Sequence, residues 1–284
     1  MPTYAVTGAS GPFGRHVIEQ LVDAGVAPGD IVALARTPQK VADLAERGVQ
    51  AREADYDVPV TLDAALVGVD RLLLVSGSEV GQRVRQHGNV ITAAKRAGVG
   101  RIAYTSILRA DSTPLLLAPE HQATEGLLAE SGLPRTVLRN GWYLENFTAQ
   151  IGSYLSQGCV LHAAGDGRIA AASRADFAAA AATALLEDRT DDVVYELGGT
   201  PFTYAELAEA ISEVTGTPVV ARAVTGEELV AALTGAGVDA GTAGFHAAVD
   251  ANIAEGALDT DSDDLTRLLG RRPTSLVDAV RAAS

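Results

Sequence analysis

An α/β fold with a doubly wound parallel sheet is the class that the sequence predicts, and three observations predict it. A glycine-rich turn follows a short apolar segment near the start, continuous apolar runs of strand length alternate with helical patterns through the first half, and the second half is less regular. Regular alternation of strands and helices produces a parallel sheet with a ligand at the carboxyl ends of its strands. We therefore expect a Rossmann-like sheet and a smaller, mainly helical C-terminal lobe.

The glycine-rich turn lies between the first predicted strand and an amphipathic helix at residues 15–22. Backbone N–H groups of such a turn and the positive end of the helix dipole favour a phosphate. Gly8 suits the tight turn, Gly11 leaves room for a pyrophosphate, and Gly14 lets the helix pack closely on the strand. With its flanking elements, the spacing G-x-x-G-x-x-G favours dinucleotide binding over an ordinary strand-to-helix loop.

The elements that follow alternate regularly along the first half. Apolar runs suit strands that are covered on both faces of a parallel sheet, and the segments between them have helical spacing. Gly98 is placed to end one of these helices. The predicted strands lie at residues 31–35, 49–55, 71–76 and 101–106, and the predicted helices at 60–68 and 82–97, with a short helix from Pro38.

The second half combines two more strands of the sheet with a helical lobe. We expect residues 1–150 to form the dinucleotide-binding domain and residues 151–284 to form a substrate lobe that closes one side of the cleft. Glycine, aspartate and serine predict a mobile loop at residues 256–263. The predicted strands lie at 136–139, 219–223 and 193–197, the last returning to the main sheet, and the helices at 174–186, 203–215, 225–235 and 239–255.

Composition excludes several classes of function. The 284 residues carry a net charge of −14 without a run of lysine or arginine, so a nucleic acid would be repelled. Cys159 is the one cysteine and the five histidines are scattered, so neither a disulfide nor a metal site is expected. No segment has the pattern of a membrane span or a secretion signal. We expect a cytoplasmic protein without a membrane partner.

The end of the second predicted strand indicates which dinucleotide binds. An acidic residue at this position bonds the ribose 2′-hydroxyl, whereas an arginine accepts a 2′-phosphate. The strand is followed by Arg36, while Asp30 precedes it at the opposite end of the sheet. Arg36, assisted by Arg15 or Lys40, therefore favours NADP(H) over NAD(H). The alternative is a solvated surface arginine.

The helix after the fifth strand lacks a proton-donating pair. The segment His121-Gln-Ala-Thr-Glu125, followed by Gly-Leu-Pro, resembles the tail of a motif in the short-chain dehydrogenase superfamily, whose reductases carry Tyr-x-x-x-Lys. This register puts Leu117 at the tyrosine position and His121 at the lysine position. A ketone would yield an alkoxide roughly as basic as hydroxide, whose parent water has a pKa of about 15.7. A quinone yields a phenolate-like oxygen with a pKa of about 10, so its reduction tolerates the absence of the tyrosine-lysine pair.

Four longer segments make the resemblance more specific. The chain is similar to the NmrA-like group of atypical short-chain dehydrogenases and, within it, to the type 2 quinone oxidoreductases. The resemblance implies NADPH-dependent reduction of quinones without a flavin, and a homodimer is compatible with it. Two alternatives stay open: a sensor that binds NADP(H) without turnover, and a reductase or isomerase of another conjugated carbonyl. The segments are residues 78–83, 102–106, 138–146 and 163–167.

The resemblance also implies a set of cofactor-binding residues. Those on the glycine-rich turn would hold the pyrophosphate, and the one after the second strand would hold the 2′-phosphate. Those after the fourth strand would hold the adenosine side, and those after the sixth strand would hold the nicotinamide half. In that order they are Gly8, Ala9, Ser10, Gly11, Pro12 and Phe13; Arg36; Ser76, Gly77 and Ser78; and Asn140, Gly141, Trp142, Tyr143 and Glu145.

Most candidate residues for the reaction have two interpretations. His121 would deliver a proton to the acceptor, or it is a solvated or loop-anchoring residue of its helix. Thr105 would line the reaction cleft. Asn146 would orient the acceptor or cap a helix, and Phe147 would form an apolar wall or belong to the core. Glu125 lies one turn beyond His121, where a structural partner is the favoured interpretation.

Overall fold

The computed structural model describes residues 1–284 and contains a seven-stranded parallel sheet in the order β3-β2-β1-β4-β5-β6-β8. The predicted doubly wound fold is confirmed. A separate parallel pair joins β7 to β9. The strands are β1 (Tyr4–Val6), β2 (Ile31–Ala35), β3 (Gln50–Glu53), β4 (Arg71–Leu74), β5 (Arg101–Ile107), β6 (Arg135–Asn140), β7 (Cys159–His162), β8 (Val193–Leu197) and β9 (Val220–Ala223).

Thirteen α-helices surround the strands. None of them is both long enough and apolar enough to cross a lipid bilayer. They are α1 (Pro12–Asp23), α2 (Ala42–Glu46), α3 (Pro59–Ala65), α4 (Arg83–Ala97), α5 (Ala118–Ser131), α6 (Glu145–Thr148), α7 (Ile151–Gln157), α8 (Arg174–Leu186), α9 (Tyr204–Thr215), α10 (Gly226–Gly235), α11 (Ala240–Ala254), α12 (Asp264–Leu269) and α13 (Leu276–Ala283).

Each face of the large sheet packs against its own helices. Leu73 of β4 points into the core beneath α1, α8 and α12, whereas its neighbours Leu72 and Leu74 point into the core beneath α3, α4 and α5. Successive side chains of a strand face opposite sides. Both sides are covered here, and this is why the central strands read as continuous apolar runs.

A third core lies in the C-terminal lobe, between β7, β9 and helices α7, α9, α11 and α13. The lobe does not include everything after residue 150, because α8 packs on α1 and β8 is the last strand of the large sheet. Residues 256–263 differ from the expected mobile loop. Leu258 is fully buried, its carbonyl accepts the N–H of Ala170 at 2.8 Å, and Arg109 donates to the carbonyl of Asp259 at 2.8 Å.

Candidate active site

A cavity of about 530 Å³ lies at the carboxyl ends of β1, β2 and β4, and we call it the sheet cavity. This is the position at which a doubly wound sheet binds its ligand. Most of the predicted cofactor residues line it: Gly8, Ser10, Gly11, Pro12, Phe13, Arg36, Ser76, Gly77, Ser78 and Tyr143. Six further polar or aromatic residues line it that were not predicted to bind the cofactor: Asp55, Tyr56, Glu79, Arg83, Gln86 and Arg174.

The glycine-rich turn presents an open helix end to the sheet cavity. Gly8 has a φ of +62°, a left-handed conformation that glycine adopts without strain. Helix α1 begins after Gly11 without a side-chain cap or an acidic residue in its first turn, so its first N–H groups are available to an anion. The turn therefore fits a pyrophosphate. Ala9 does not line the cavity, because it is buried and its N–H bonds the carbonyl of Leu34 at 3.1 Å.

Gly14 lies where α1 meets this turn, and an added methyl group has no room there. A Cβ on Gly14 would lie 2.6 Å from the carbonyl oxygen of Gly8 and 3.0 Å from Cα of Ala9. Because both atoms belong to the backbone, we expect Gly14→Ala to lower the free energy of unfolding by about 1–3 kcal/mol. Displacement of the turn should also weaken NADPH binding. Urea unfolding and calorimetric titration with NADPH measure the two effects.

Gly126→Ala is the matched control for Gly14→Ala. Gly126 lies inside α5 with nothing within 4 Å of an added Cβ. Alanine is the better helix former by about 1 kcal/mol, so this variant should equal or exceed the wild type in stability. Similar losses in the two variants would show that the contact with the turn is not the cause.

Arg36 is the basic side chain at the mouth of the sheet cavity. Its guanidinium is exposed and contacts the Glu79 carboxylate at 3.3 Å. The two basic residues proposed to assist it do not line the cavity. Arg15 is bound to the carboxylate of Asp43 and to the carbonyl of Lys40. Of the three basic residues predicted at this position, only Arg36 lines the cavity, together with Arg83 and Arg174 from later in the chain.

The loop between β4 and α4 is fixed by three buried or half-buried side chains, Arg83, His87 and Glu120, which we call the loop clamp. The N–H of Gly77 donates to Nε2 of His87 at 2.9 Å, and Arg83 donates to the carbonyl of Gly77 at 2.6 Å. Glu120 accepts Arg83 at 3.0 Å and the N–H of Gly81 at 2.8 Å. The loop that lines the sheet cavity is thereby tied to α4 and α5.

The segment after β6 contributes residues of different roles. The side-chain amide of Asn140 is buried next to Tyr143 and lines neither cavity. Gly141 is required by packing, since a Cβ there would lie 2.7 Å from the carbonyl oxygen of Ala170. Glu145 accepts the N–H of Arg174 at 2.9 Å and so caps α8. Two of these predicted cofactor residues thus hold the local structure.

A second cavity of about 600 Å³ lies in the C-terminal lobe, and we call it the lobe cavity. Trp142, Asn146 and Phe147 line it, while the intervening Tyr143 lines the sheet cavity. Residues 142–147 therefore form a wall between the two cavities. Most of the other lining residues come from α7, α10 and α11: Gln150, Ser153, Tyr154, Gln157, Leu161, Tyr204, Leu229, Ala232, Leu233, Gly235, Ala236, Phe245, His246, Val249, Asp250 and Ile253.

Thr105 lines neither cavity. Its side chain is buried, and its hydroxyl oxygen accepts the N–H of Ser76 at 2.8 Å. Ser76 itself lines the sheet cavity. The structure therefore places Thr105 behind the cleft, where it positions the start of the clamped loop.

Two buried histidines also lie outside both cavities. Burial and the nearby Arg83 charge lower the pKa of His87 to about 4. The neutral ring can therefore accept a hydrogen bond from the N–H of Gly77 at Nε2. His121 contacts the Tyr104 hydroxyl through Nδ1 at 2.7 Å. Burial, followed by the charges of Arg83 and His87, lowers the pKa of His121 to about 3. In this arrangement the His121 imidazole is neutral at neutral pH.

The buried histidines predict a loss of stability in mild acid. Their folded-state pKa values lie below the ordinary value of 6.5, so the unfolded chain binds more protons as the pH falls from about 6.5 to about 4. Each unit of pKa shift corresponds to about 1.4 kcal/mol. The free energy of unfolding should fall over this window, and denaturant unfolding at several pH values measures the slope.

Two variants separate this effect from the general titration of carboxylates. His87→Gln should be less stable at neutral pH, because the Gly77 contact is disturbed, but its stability should depend less on pH. His16→Gln removes a partly exposed histidine and should keep the wild-type slope. If His87→Gln also keeps the wild-type slope, His87 is not the group that titrates.

The fold and the sheet cavity define a Rossmann-type protein with a cleft of the dinucleotide-binding kind at the carboxyl ends of its strands. Comparison with known proteins specifies the class further. The model of a family described as NAD(P)H-binding matches residues 8–188. The chain belongs to this NAD(P)H-binding, NmrA-like family of oxidoreductases, as its sequence motifs predict.

Three relatives illustrate the similarity. Quinone oxidoreductase 2 of Escherichia coli is 46% identical over 277 residues, which is 97% of this chain and 96% of the relative. The crystal structure of the NADPH-dependent quinone oxidoreductase QOR2 from Escherichia coli with NADPH has a TM-score of 0.94 and covers 98% of both chains. The NmrA-like family domain-containing oxidoreductase flvB of Aspergillus flavus is 35% identical, with 98% of this chain and 94% of the relative covered. The triphenylmethane reductase of Citrobacter sp. with NADP(H) is 36% identical, with a TM-score of 0.94 and 99% and 100% coverage.

Proposed function

We propose that this oxidoreductase reduces quinones with NADPH by direct hydride transfer, without a flavin or a metal. The wall formed by residues 142–147 is the observation that carries the proposal, because it places a dinucleotide cleft next to a largely apolar cavity. The lobe cavity has the size and lining of a site for a flat organic molecule. The 46% identity to a quinone oxidoreductase over nearly the whole chain supports the same acceptor.

The residues around the sheet cavity fit NADPH. The glycine-rich turn would hold the pyrophosphate, Arg36 the 2′-phosphate, and Ser76 and Ser78 the adenosine side. Tyr143, which lines this cavity, would face the nicotinamide half. Bound NADPH supplies the hydride. Residues 1–150 contribute most of this site, so we retain them as the dinucleotide-binding domain and residues 151–284 as the source of the acceptor lobe.

The wall and the lobe cavity would hold the acceptor. Trp142 and Phe147 offer aromatic faces on which a flat ring can stack, and Asn146 offers an amide that can orient its carbonyl. Such a lining excludes water from the reacting atoms, which favours hydride transfer over side reactions. The tyrosine-lysine pair of ketone reductases can be absent here, because a phenolate-like product oxygen needs less assistance from a proton donor than an alkoxide does.

We assign His121 a structural role rather than the delivery of a proton. It lines neither cavity, and its Nδ1 is bonded to Tyr104. His121→Ala should therefore reduce stability and leave the pH dependence of turnover unchanged.

The reaction is tested by mixing the protein with NADPH and a panel of quinones while nicotinamide absorbance is followed. Trp142 is the one tryptophan of the chain, so its fluorescence reports binding in the lobe cavity directly. We expect quinones both to quench Trp142 and to be reduced. Tight binding of NADPH without turnover of any quinone would favour a redox sensor, and turnover of other conjugated carbonyls alone would favour a different reductase.

A further inference from the structure

Asp250 is the one acidic residue that lines the lobe cavity, which contains no lysine or arginine. It lies on α11, and only 5% of its surface is exposed. A buried carboxyl without a basic partner is costly for a protein. Its position in the same cavity lining as the wall residues calls for an explanation beyond packing, because the dinucleotide site does not use it.

Hydrogen bonds fix the Asp250 carboxyl in one orientation. The Tyr204 hydroxyl donates to Oδ1 at 2.8 Å, and the N–H of Ala163 donates to Oδ2 at 2.7 Å. The imidazole of His162 stacks on Tyr204, with ring centroids 4.7 Å apart and planes 20° apart. Each carboxyl oxygen can take more than one partner. The group is therefore oriented by its neighbours and still able to carry a proton.

Opposing influences act on the pKa of the Asp250 carboxyl, and burial is the largest of them. Burial raises its pKa above the ordinary value, although the bonds from Ala163 and Tyr204 and the nearby His162 and His246 act in the opposite direction. Tyr154 of α7 is the other titratable group that this carboxylate influences. A carboxyl whose pKa is raised by an apolar pocket can serve as a general acid.

The acceptor would lie between this carboxyl and the wall. Phe147 contacts the ring of Tyr204 at a centroid distance of 5.9 Å, so the wall and the Asp250 pair belong to one continuous lining. A reduced quinone is a hydroquinone monoanion until one proton reaches its oxygen. The tyrosine and lysine of other reductases are replaced by Leu117 and His121, and neither of these lines the cavity.

We propose that Asp250 delivers this proton to the acceptor oxygen, with Tyr204 and the N–H of Ala163 as its positioning groups. The proposal rests on the proposed quinone reduction. The hydride with its electron pair reduces the quinone, the O–H bond of the Asp250 carboxyl breaks, and a new O–H bond forms on the hydroquinone oxygen. Water then returns a proton to Asp250. The sum is quinone, NADPH and one proton giving hydroquinone and NADP⁺.

Asp250→Asn is the direct test, measured as the pH dependence of quinone reduction. A general acid must be protonated, so the wild-type rate should fall as the pH rises through the pKa of Asp250. The variant should lose this descending limb and about 10²–10⁴-fold in kcat. Electron-poor quinones, which form less basic hydroquinones, should suffer the smaller losses. Quenching of Trp142 by quinone should stay within a few-fold of the wild type, because binding does not need the proton.

Tyr204→Phe and His246→Gln complete the test. Tyr204→Phe removes a bond that favours the ionised carboxyl, so the descending limb should move to higher pH; an unmoved limb overturns the proposal even if Asp250→Asn does not fold. His246→Gln should retain the descending limb, whatever the effect of the substitution on the rate. If the descending limb is lost in His246→Gln and kept in Asp250→Asn, His246 is the proton donor. If Asp250→Asn keeps the wild-type rate and limb, Asp250 is not the donor, whereas a wild type that reduces no quinone overturns the proposed function itself.

Discussion

Replacing Arg139 by leucine should destabilise the fold by about 3–5 kcal/mol, the usual cost of removing one partner from a buried ion pair. Arg139 of β6 is 8% exposed. Its guanidinium donates to Glu125 at 2.8 Å, to Glu196 at 2.8 Å and to Asp111 at 2.9 Å. Burial lowers the pKa of Arg139, but the bonds to these three carboxylates together raise it above the ordinary value, so the side chain stays charged. Without the arginine, the half-buried carboxylate of Glu125 keeps only the Ser106 hydroxyl as a hydrogen-bond donor and has no compensating charge. Urea unfolding at neutral pH measures the effect.

Arg135→Leu in the same strand is the control. Arg135 pairs with Asp192 at 3.0 Å, but both side chains are substantially exposed, so the loss should stay below about 1 kcal/mol. The double variant Arg139→Leu with Glu125→Gln should recover part of the lost stability, because it removes the stranded charge. Equal losses for Arg135→Leu and Arg139→Leu would contradict the buried-pair explanation.

Arg36→Ala should raise the Kd for NADPH roughly ten- to a hundredfold, which corresponds to about 1.5–3 kcal/mol for a charge-assisted hydrogen bond. The Kd for NADH should change little, because NADH has no 2′-phosphate. Calorimetric titration of the variant with both dinucleotides measures the difference. In the wild type, part of the binding free energy from the 2′-phosphate is offset, because Arg36 must give up its contact with Glu79 to reach the phosphate.

Lys40→Ala is the matched control for Arg36→Ala. Lys40 is an exposed basic residue that follows β2 but does not line the sheet cavity. This variant should bind NADPH almost as the wild type does. Equal weakening of NADPH and NADH by Arg36→Ala would mean that Arg36 does not discriminate between the two cofactors.

The fold was predictable because its signals are local. The turn around Gly8, the apolar strands and their alternation with helices each depend on residues adjacent in the chain, and the doubly wound sheet follows from them. The missed elements have weaker local signals. Strand β7 has four residues and pairs with β9 about sixty residues later, and the short helices α6, α7, α12 and α13 depend on packing.

The candidate site was predictable mainly where it is formed by a local segment of the chain. The sequence located the glycine-rich turn and Arg36, but it could not distinguish side chains that face a ligand from those that support the cleft. Thr105 is behind the cleft and His121 beneath it because of tertiary packing. Asp250 was missed because it is one acid in an ordinary helical pattern, and only the fold of the lobe brings it to Tyr204.

The loop clamp has a thermodynamic consequence for recognition. Because Arg83, His87 and Glu120 already hold the loop that contains Gly77, little backbone freedom remains to be lost when the dinucleotide arrives. Fixing one residue's backbone costs about 1–2 kcal/mol, and in this loop the ordering takes place when the protein folds rather than when the ligand binds. The adenosine side of the cleft is thus preorganised, so that ordering entropy takes a smaller share of the binding free energy.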